Sequence, residues 1–418
     1  MGNLSSIPFL AILPFVGVLA GIAVLPLVAP AFWDHNRNKA VFSALLAGPV
    51  AVWLVFSAPE LLAHTAHEYI SFLCLLGSLF VVAGGIHLAG DLRATPRVNT
   101  ASLGVGAVLA SVLGTTGASM LLIRLLLRTN SERRHTRHVP FFFILLVSNA
   151  GGLLTPLGDP PLFLGFLRGV PFAWTLRLFP IWLLAVGYLL AVFYWIDRRA
   201  YARETAPDLK KDLDQIQPLR IEGALNLLWL ALIVVFVFLP SPIRELAMVS
   251  SAIGSLLIGS KAGRTKNGFS FGPIAEVAIL FSAIFVTMVP ALLLLGQHGP
   301  ALGLVAPWHF FFVSGALSSV LDNAPTYLTF LTAAQSTASS LGLRVDVVGV
   351  PASLLAAISA GSVLMGANTY IGNGPNFMVK SIAEASGYRM PSFGRYAVMA
   401  ILVLSPVYAV TAVLVSLY

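Results

Sequence analysis

Charge and cysteine are what this 418-residue sequence has least of. Only 10% of its residues are Asp, Glu, Lys or Arg, against roughly 25% in soluble domains. A chain so poor in charge, 57% hydrophobic and with a mean hydropathy of +0.88, has too little polar surface for a water-soluble globule. It reads as an all-α, polytopic, integral membrane protein with the lipid bilayer as its partner. The single cysteine, Cys74, lies in an apolar run and excludes both an intramolecular disulfide framework and a cysteine-built metal site. Enzyme signatures are missing too. There is no nucleophile elbow, no HExxH and no paired-aspartate protease motif, so neither an enzyme nor a resident cofactor is expected. The leader Met1 to Pro8 has no Lys or Arg, and the apolar stretch after it is too long for a cleavable signal. Met1-Gly2-Asn3-Leu4-Ser5-Ser6 formally fits an N-myristoylation pattern, but an acyl anchor adds nothing to a chain with many spans.

The net charge is +8. The positive residues sit in short loops between apolar runs, so membrane orientation explains them and nucleic acid is not a partner. Runs of about 17–25 apolar residues place spans near 8–31, 40–57, 69–90, 139–170, 174–196, 222–240, 246–260, 272–295, 350–380 and 396–418. Two apolar stretches remain, about 99–128 and 302–335. Gly114-Thr115-Thr116-Gly117-Ala118-Ser119 breaks the first, and Leu321-Asp322-Asn323-Ala324-Pro325-Thr326 breaks the second. Both read as re-entrant hairpins. With ten crossings and both termini outside, 21 of the 25 Lys and Arg residues face the cytoplasm. Only Arg168, Arg177, Arg244 and Arg344 do not. A bacterial inner membrane is the expected location. The charged stretch from Asp197 to Arg220 then forms a cytoplasmic linker, 197–221, between a half at 1–196 and a half at 222–418.

The halves look related. Glu68 and Glu276, which open spans in this reading, are offset by 208, and the hairpin tips at Gly114 and Leu321 by 207. Gly158-Asp159-Pro160-Pro161 falls on Gly372-Asn373-Gly374-Pro375 at an offset of 214, with Thr155 on Thr369. Five spans in each half give opposite orientations, hence two inverted repeats.

Breaker and polar residues interrupt two spans where lipid demands unbroken helix. They are Ser148-Asn149-Ala150-Gly151-Gly152 through Thr155-Pro156-Leu157-Gly158-Asp159-Pro160-Pro161, and Gly366-Ala367-Asn368-Thr369-Tyr370-Ile371-Gly372-Asn373-Gly374-Pro375-Asn376. Irregular backbone at that depth is tolerated only in protein or beside a watery cavity, and paired broken helices point to a transporter's binding site. Asp159 and Asp322 are the only acids in the four irregular elements. Intramembrane carboxylates mark ion pathways or proton relays, and one such group can hold H⁺ or Na⁺ in turn. Capping of Asp159's half-helix and turn-making by Asp322 are the structural alternatives. Asn149, Asn323, Asn368, Asn373 and Asn376 can ligate an ion or fasten the broken backbone. For Ser119, Ser148, Thr116, Thr155, Thr326 and Thr369, back-bonding to helix carbonyls competes with ligation. Glu68 and Glu276 suit helix starts. His87, near the cytoplasmic end of a span with Asp91 four residues on, suggests a helix-face pair that relays protons or senses pH. His135 and His138 join Arg133, Arg134 and Arg137 in what reads as a solvated loop facing lipid phosphates.

At these residues the whole chain resembles the ion transporter superfamily, which includes D-type sodium/proton antiporters, arsenite and citrate carriers, and sodium-coupled dicarboxylate transporters. Ser148 to Gly152, Thr155 to Pro161 and Asp322 to Thr326 look most like the D-type antiporters and the neighbouring citrate/sodium–proton branch. The resemblance implies a homodimeric, elevator-type transporter, with the hairpins and broken helices forming the moving unit. It implies that Asn149, Thr155, Asp159, Asp322, Asn323, Thr326, Asn368 and Thr369 bind cation or substrate, and the repeat alignment adds Asn373. Asp159, Asp322, Asn149 and Asn368 are the expected Na⁺ ligands. The triplets Ser148-Asn149-Ala150 and Ala367-Asn368-Thr369 depart from the paired Ser-Asn-Thr signature of carboxylate carriers. No Lys or Arg sits in the irregular elements to clamp a polyanion. Na⁺(Li⁺)/H⁺ exchange is therefore the leading expectation, with Na⁺- or H⁺-coupled uptake of a small organic anion such as citrate or a dicarboxylate as the alternative.

Overall fold

The computed structural model describes residues 7–214, 216–259 and 261–418; the Met1-to-Ser6 acylation pattern lies outside them. The described chain is almost wholly helical. Seven segments are long and apolar enough to cross a bilayer, and three shorter apolar segments, His138–Leu154, Leu225–Phe236 and Ala352–Asn368, accompany them. The protein is an integral, multi-pass membrane protein.

One of the seven, Pro96–Thr129, is two helices rather than one crossing. Gly114 breaks it with φ 76° and ψ 151°, a backbone conformation open to glycine and strained for other residues. The amides of Asn99 and Asn130 exchange hydrogen bonds of 2.8 and 2.9 Å. In a straight helix those two residues would stand about 46 Å apart. The segment is therefore a hairpin whose ends meet on one side. The second hairpin runs in along Pro307–Ser318 and out along Asn323–Leu341. Its outgoing limb returns to the helix that precedes the hairpin: Ser336 Oγ donates to Gly296 O at 2.7 Å, near the end of Gly272–His298.

The two broken helices share one design. His138–Leu146 and Pro160–Leu167 flank the turn Ala150–Leu154. Ala352–Met365 and Gly374–Ala385 flank the turn Gly366–Asn368. Each second half carries a proline in its first turn (Pro160, Pro375) after an extended N-cap residue, Asp159 at φ −144°, ψ 144° and Asn373 at φ −151°, ψ 136°. Proline fits a first helical turn, where its missing N–H would be unpaired anyway.

Loops and linker are tied together at each end of the helices. Arg128 donates to Leu88 O at 2.8 Å, Lys266 pairs with Glu222 at 2.6 Å and Tyr388 donates to Leu127 O at 2.9 Å. At the other end Arg168 pairs with Glu68, and Tyr418 donates to Arg177 O at 2.7 Å.

Three expectations need correction. Helix Pro59–Gly84 starts well before residue 69, so Glu68 is buried in mid-helix on Arg168 rather than favouring a helix start. Its polar first third hid the start from a hydropathy reading. The span also ends at Gly84, so His87 and Asp91 share no helix face. His87–Ala89 is a strand, β1, pairing antiparallel with Arg220–Glu222, β2, in the linker. His87 Nδ1 meets Asn267 Oδ1 at 2.8 Å, while Asp91 accepts from Leu92 N at 2.8 Å. Third, Arg133 and His138 leave the solvated loop. Asp197, fully buried in helix Phe179–Tyr201, accepts from Arg133 Nη2 at 2.7 Å and Asn99 Nδ2 at 3.0 Å, and His138 Nε2 sits 2.9 Å away. A buried acid requires such partners. Arg134 stays exposed, paired with Asp208 at 2.9 Å. The remaining linker is folded rather than loose, with a helix at Ala206–Asp214 before β2.

Candidate functional site

Hairpins and broken helices converge on Asp159, which is 1% exposed. As the N-cap of Pro160–Leu167, its side chain leaves its own helix and turns to three other elements. Thr115 Oγ1, beside the Gly114 break, donates to Oδ1 at 2.8 Å. Asn323 Nδ2, at the second hairpin tip, donates to Oδ2 at 2.5 Å. Asn373 Nδ2, the N-cap of the second broken helix, donates to Oδ1 at 3.1 Å. All three donors are neutral. Hydrogen bonds thus satisfy this buried acid, but no cation among its partners offsets its charge, an expensive arrangement inside a membrane.

Asn323 Oδ1, on the same amide that grips Asp159, is buried and has no hydrogen-bond partner among the described residues. A buried acceptor without a donor calls for a guest. Carboxylate and amide oxygens are the kind of donor that hard cations take. Such an ion would be cargo rather than a resident cofactor. A cavity of about 30 Å³ lies beside Asp159, lined by Thr115, Thr116, Leu157 and Gly158 with Leu79 and Phe163. One water-sized guest fits such a volume.

Asp322, next in chain to Asn323, accepts from Ala324 N at 3.1 Å as a helix N-cap. The turn-making role is therefore realised, while its position keeps a second acid at the same tip. Asn149 is central: Nδ2 donates to Ile144 O at 2.8 Å and to Asn376 Oδ1 at 2.7 Å, and Oδ1 accepts from Asn373 at 3.3 Å. It ties one broken helix to the other. Asn376 in turn donates to Gly366 O and Thr369 O at 2.9 and 2.8 Å.

The remaining candidates fasten backbone. Thr326 Oγ1 donates back to Asp322 O at 3.0 Å. Thr155 donates to Ser111 O and accepts from Leu157 N, and Thr369 donates to Ser319 O and accepts from Ile371 N. Asn368 is clamped between Ser319 Oγ at 2.9 Å and Tyr408 OH at 2.7 Å, away from Asp159's partners. His87 and Asp91 belong to the strand ladder and its hairpin junction, apart from this centre.

Sequence reasoning passed over Thr115, Ser111, Ser319 and Tyr408. The repeat offset contains the signal for three of them, because Thr115 falls on Asn323 and Ser111 on Ser319 at 208. Thr115 and Asn323 meet the same carboxylate from opposite hairpins, and Ser111 and Ser319 cap the turns at Gly151 O and Met365 O.

No curated protein matches the chain in sequence. A family model described as "Putative citrate transport" matches residues 4–416. Converging broken helices around a buried acid fit a transport protein rather than an enzyme. The protein is a secondary transporter, and the chain belongs to this citrate-transport family within the ion transporter superfamily.

Proposed function

We propose that the transporter exchanges Na⁺ (or Li⁺) for H⁺ at Asp159, with Asp322 as the second acid of the site. The supporting observation is the set of neutral donors around Asp159 together with the unpaired Asn323 oxygen on one of them. A bound proton or a bound Na⁺ each neutralises the carboxylate, and the two compete for one seat. Asn149 and Asn368 hold the crossing in shape, and the unpaired Asn323 oxygen is the best-placed neutral ligand.

The reading includes inverted repeats and an elevator movement. The matched fastenings at Thr155/Ser111 and Thr369/Ser319, and the matched N-caps Asp159 and Asn373, support the repeat. A homodimer in a bacterial inner membrane, with both termini outside, completes it.

A second reading is Na⁺- or H⁺-coupled uptake of citrate or a dicarboxylate, favoured by the family description. Asp159 would then hold only the coupling ion. Proteoliposomes with an imposed pH gradient separate the two. Exchange requires gradient dissipation by NaCl or LiCl with no organic anion present. Labelled citrate accumulating only with Na⁺ or a proton gradient, and no dissipation by NaCl alone, would replace exchange with uptake.

A further inference from the structure

Two arginines near the expected cytoplasmic face carry buried donors that nothing in the described protein accepts from. Arg124 lies on the returning limb of the first hairpin. It makes no hydrogen bond or ion pair among the described residues, and its Nη1 is buried. Arg264, in the short helix Lys261–Lys266, donates through Nη2 to Ser255 Oγ at 2.6 Å, but its Nε and Nη1 are buried and unpaired. Both meet the same loop. Arg124 Nη2 approaches Gly268 to 3.6 Å from where a Cβ would stand. The Arg264 guanidinium lies 5.8 Å from the ring centre of Phe269. Phe269 N donates to Arg264 O at 2.9 Å, which pins the loop around this arginine.

Arg133, Arg134 and Lys266, by contrast, pair with acids: Asp197, Asp208 and Glu222. Arg264 Nη2 also reaches Val81 O at 3.4 Å, but each guanidinium nitrogen buried without an acceptor is costly, and a guanidinium matches the oxygens of carboxylate or phosphate. We propose that Arg124 and Arg264 form an oxyanion site between the first hairpin and the Gly268–Phe269 loop. The ligand group is a carboxylate or phosphate, carried by a free cytoplasmic anion or by an anionic lipid headgroup. The site is separate from Asp159 and does not depend on the exchange reading.

The test uses the full-length protein in phosphatidylcholine nanodiscs. Binding of labelled citrate and inorganic phosphate is measured at matched ionic strength, and retention of phosphatidylglycerol through delipidation is measured by mass spectrometry. Arg124→Gln and Arg264→Gln should each weaken anion binding at least tenfold, or abolish lipid retention, and the arm that responds identifies the source. Arg203→Gln, at an exposed position, should change neither. Arg124→Lys should elute like wild type yet lose affinity, which separates lost recognition from misfolding. Asp159→Asn should bind the anion as wild type does, so failure of ion exchange leaves this site standing. Glutamine variants that match wild type in both arms would overturn it.

Discussion

Asn373 Nδ2 stands 3.1 Å from Asp159 Oδ1, so the residue that caps one broken helix donates to the acid that caps the other. Two half-helix N-termini thereby point at one spot, and their partially positive ends favour negative charge there. Substituting one amide for one acid at matched positions leaves a single carboxylate at the crossing. Two acids would repel each other without a second cation.

Asp159→Asn should therefore abolish coupling while keeping the fold. Na⁺-driven dissipation in proteoliposomes should fall by two orders of magnitude or more. Because an amide cannot accept from all three donors, a loss of about 1–3 kcal/mol is expected, visible as a lower Tm without loss of the folded fraction.

Thr155→Val and Thr369→Val test fastening against ligation. Each removes a hydroxyl that bridges hairpin and broken helix, which should cost about 1–2 kcal/mol. Na⁺ affinity, read from the concentration dependence of dissipation, should stay within about twofold. A tenfold loss of affinity with unchanged Tm would make them ligands.

Glycine is required where the turns cross themselves. A Cβ on Gly158 would lie 2.2 Å from Gly152 O, and one on Gly372 2.6 Å from Gly366 O and 2.7 Å from Ser318 O. All three obstacles are backbone, so Gly158→Ala and Gly372→Ala should each destabilise by about 1–3 kcal/mol. Gly187→Ala, with open space at its Cβ, is the control and should be neutral in thermal melting.

The two acids beside buried Arg133 should contribute unequally. Asp197→Ala removes the nearer of them, at 2.7 Å, and leaves Glu204 at 3.6 Å. It should cost about 3–5 kcal/mol, and Glu204→Ala should cost less, measured as Tm of the two variants.

Burial pushes the carboxyls of Asp91 and Asp212 above the ordinary carboxylate range. Both stand where the linker docks: Asp91 N donates to Gln217 O at 2.9 Å, and Asp212 accepts from Ala94 N at 3.2 Å. The folded protein holds these protons more tightly than the unfolded chain does. Their stabilising contribution is thus complete below the ordinary value of ~4 and is lost as pH rises through the raised one. Asp91→Asn and Asp212→Asn should raise Tm relative to wild type at pH 8 more than at pH 5.

Much of the site was legible because breaker residues in lipid have few permitted uses. Asp159, Asn149 and Asn373 declared themselves by lying in broken apolar runs, and they do meet. For Thr326 back-bonding and ligation were both open in the sequence, because a hydroxyl in a helix always has a carbonyl four residues back, and here it uses it. His87 was misread because a spacing of four residues implies one face only while the helix continues, and this helix stops at Gly84.

Membrane residence and broken helices belong to the sequence alone, since the cost of charge and free backbone in lipid acts on each residue wherever it packs. Which amide grips which oxygen belongs to tertiary structure. Thr115, Asn323 and Asn373 are far apart in the chain, and only the convergence of two hairpins and two broken helices decides that they share one carboxylate.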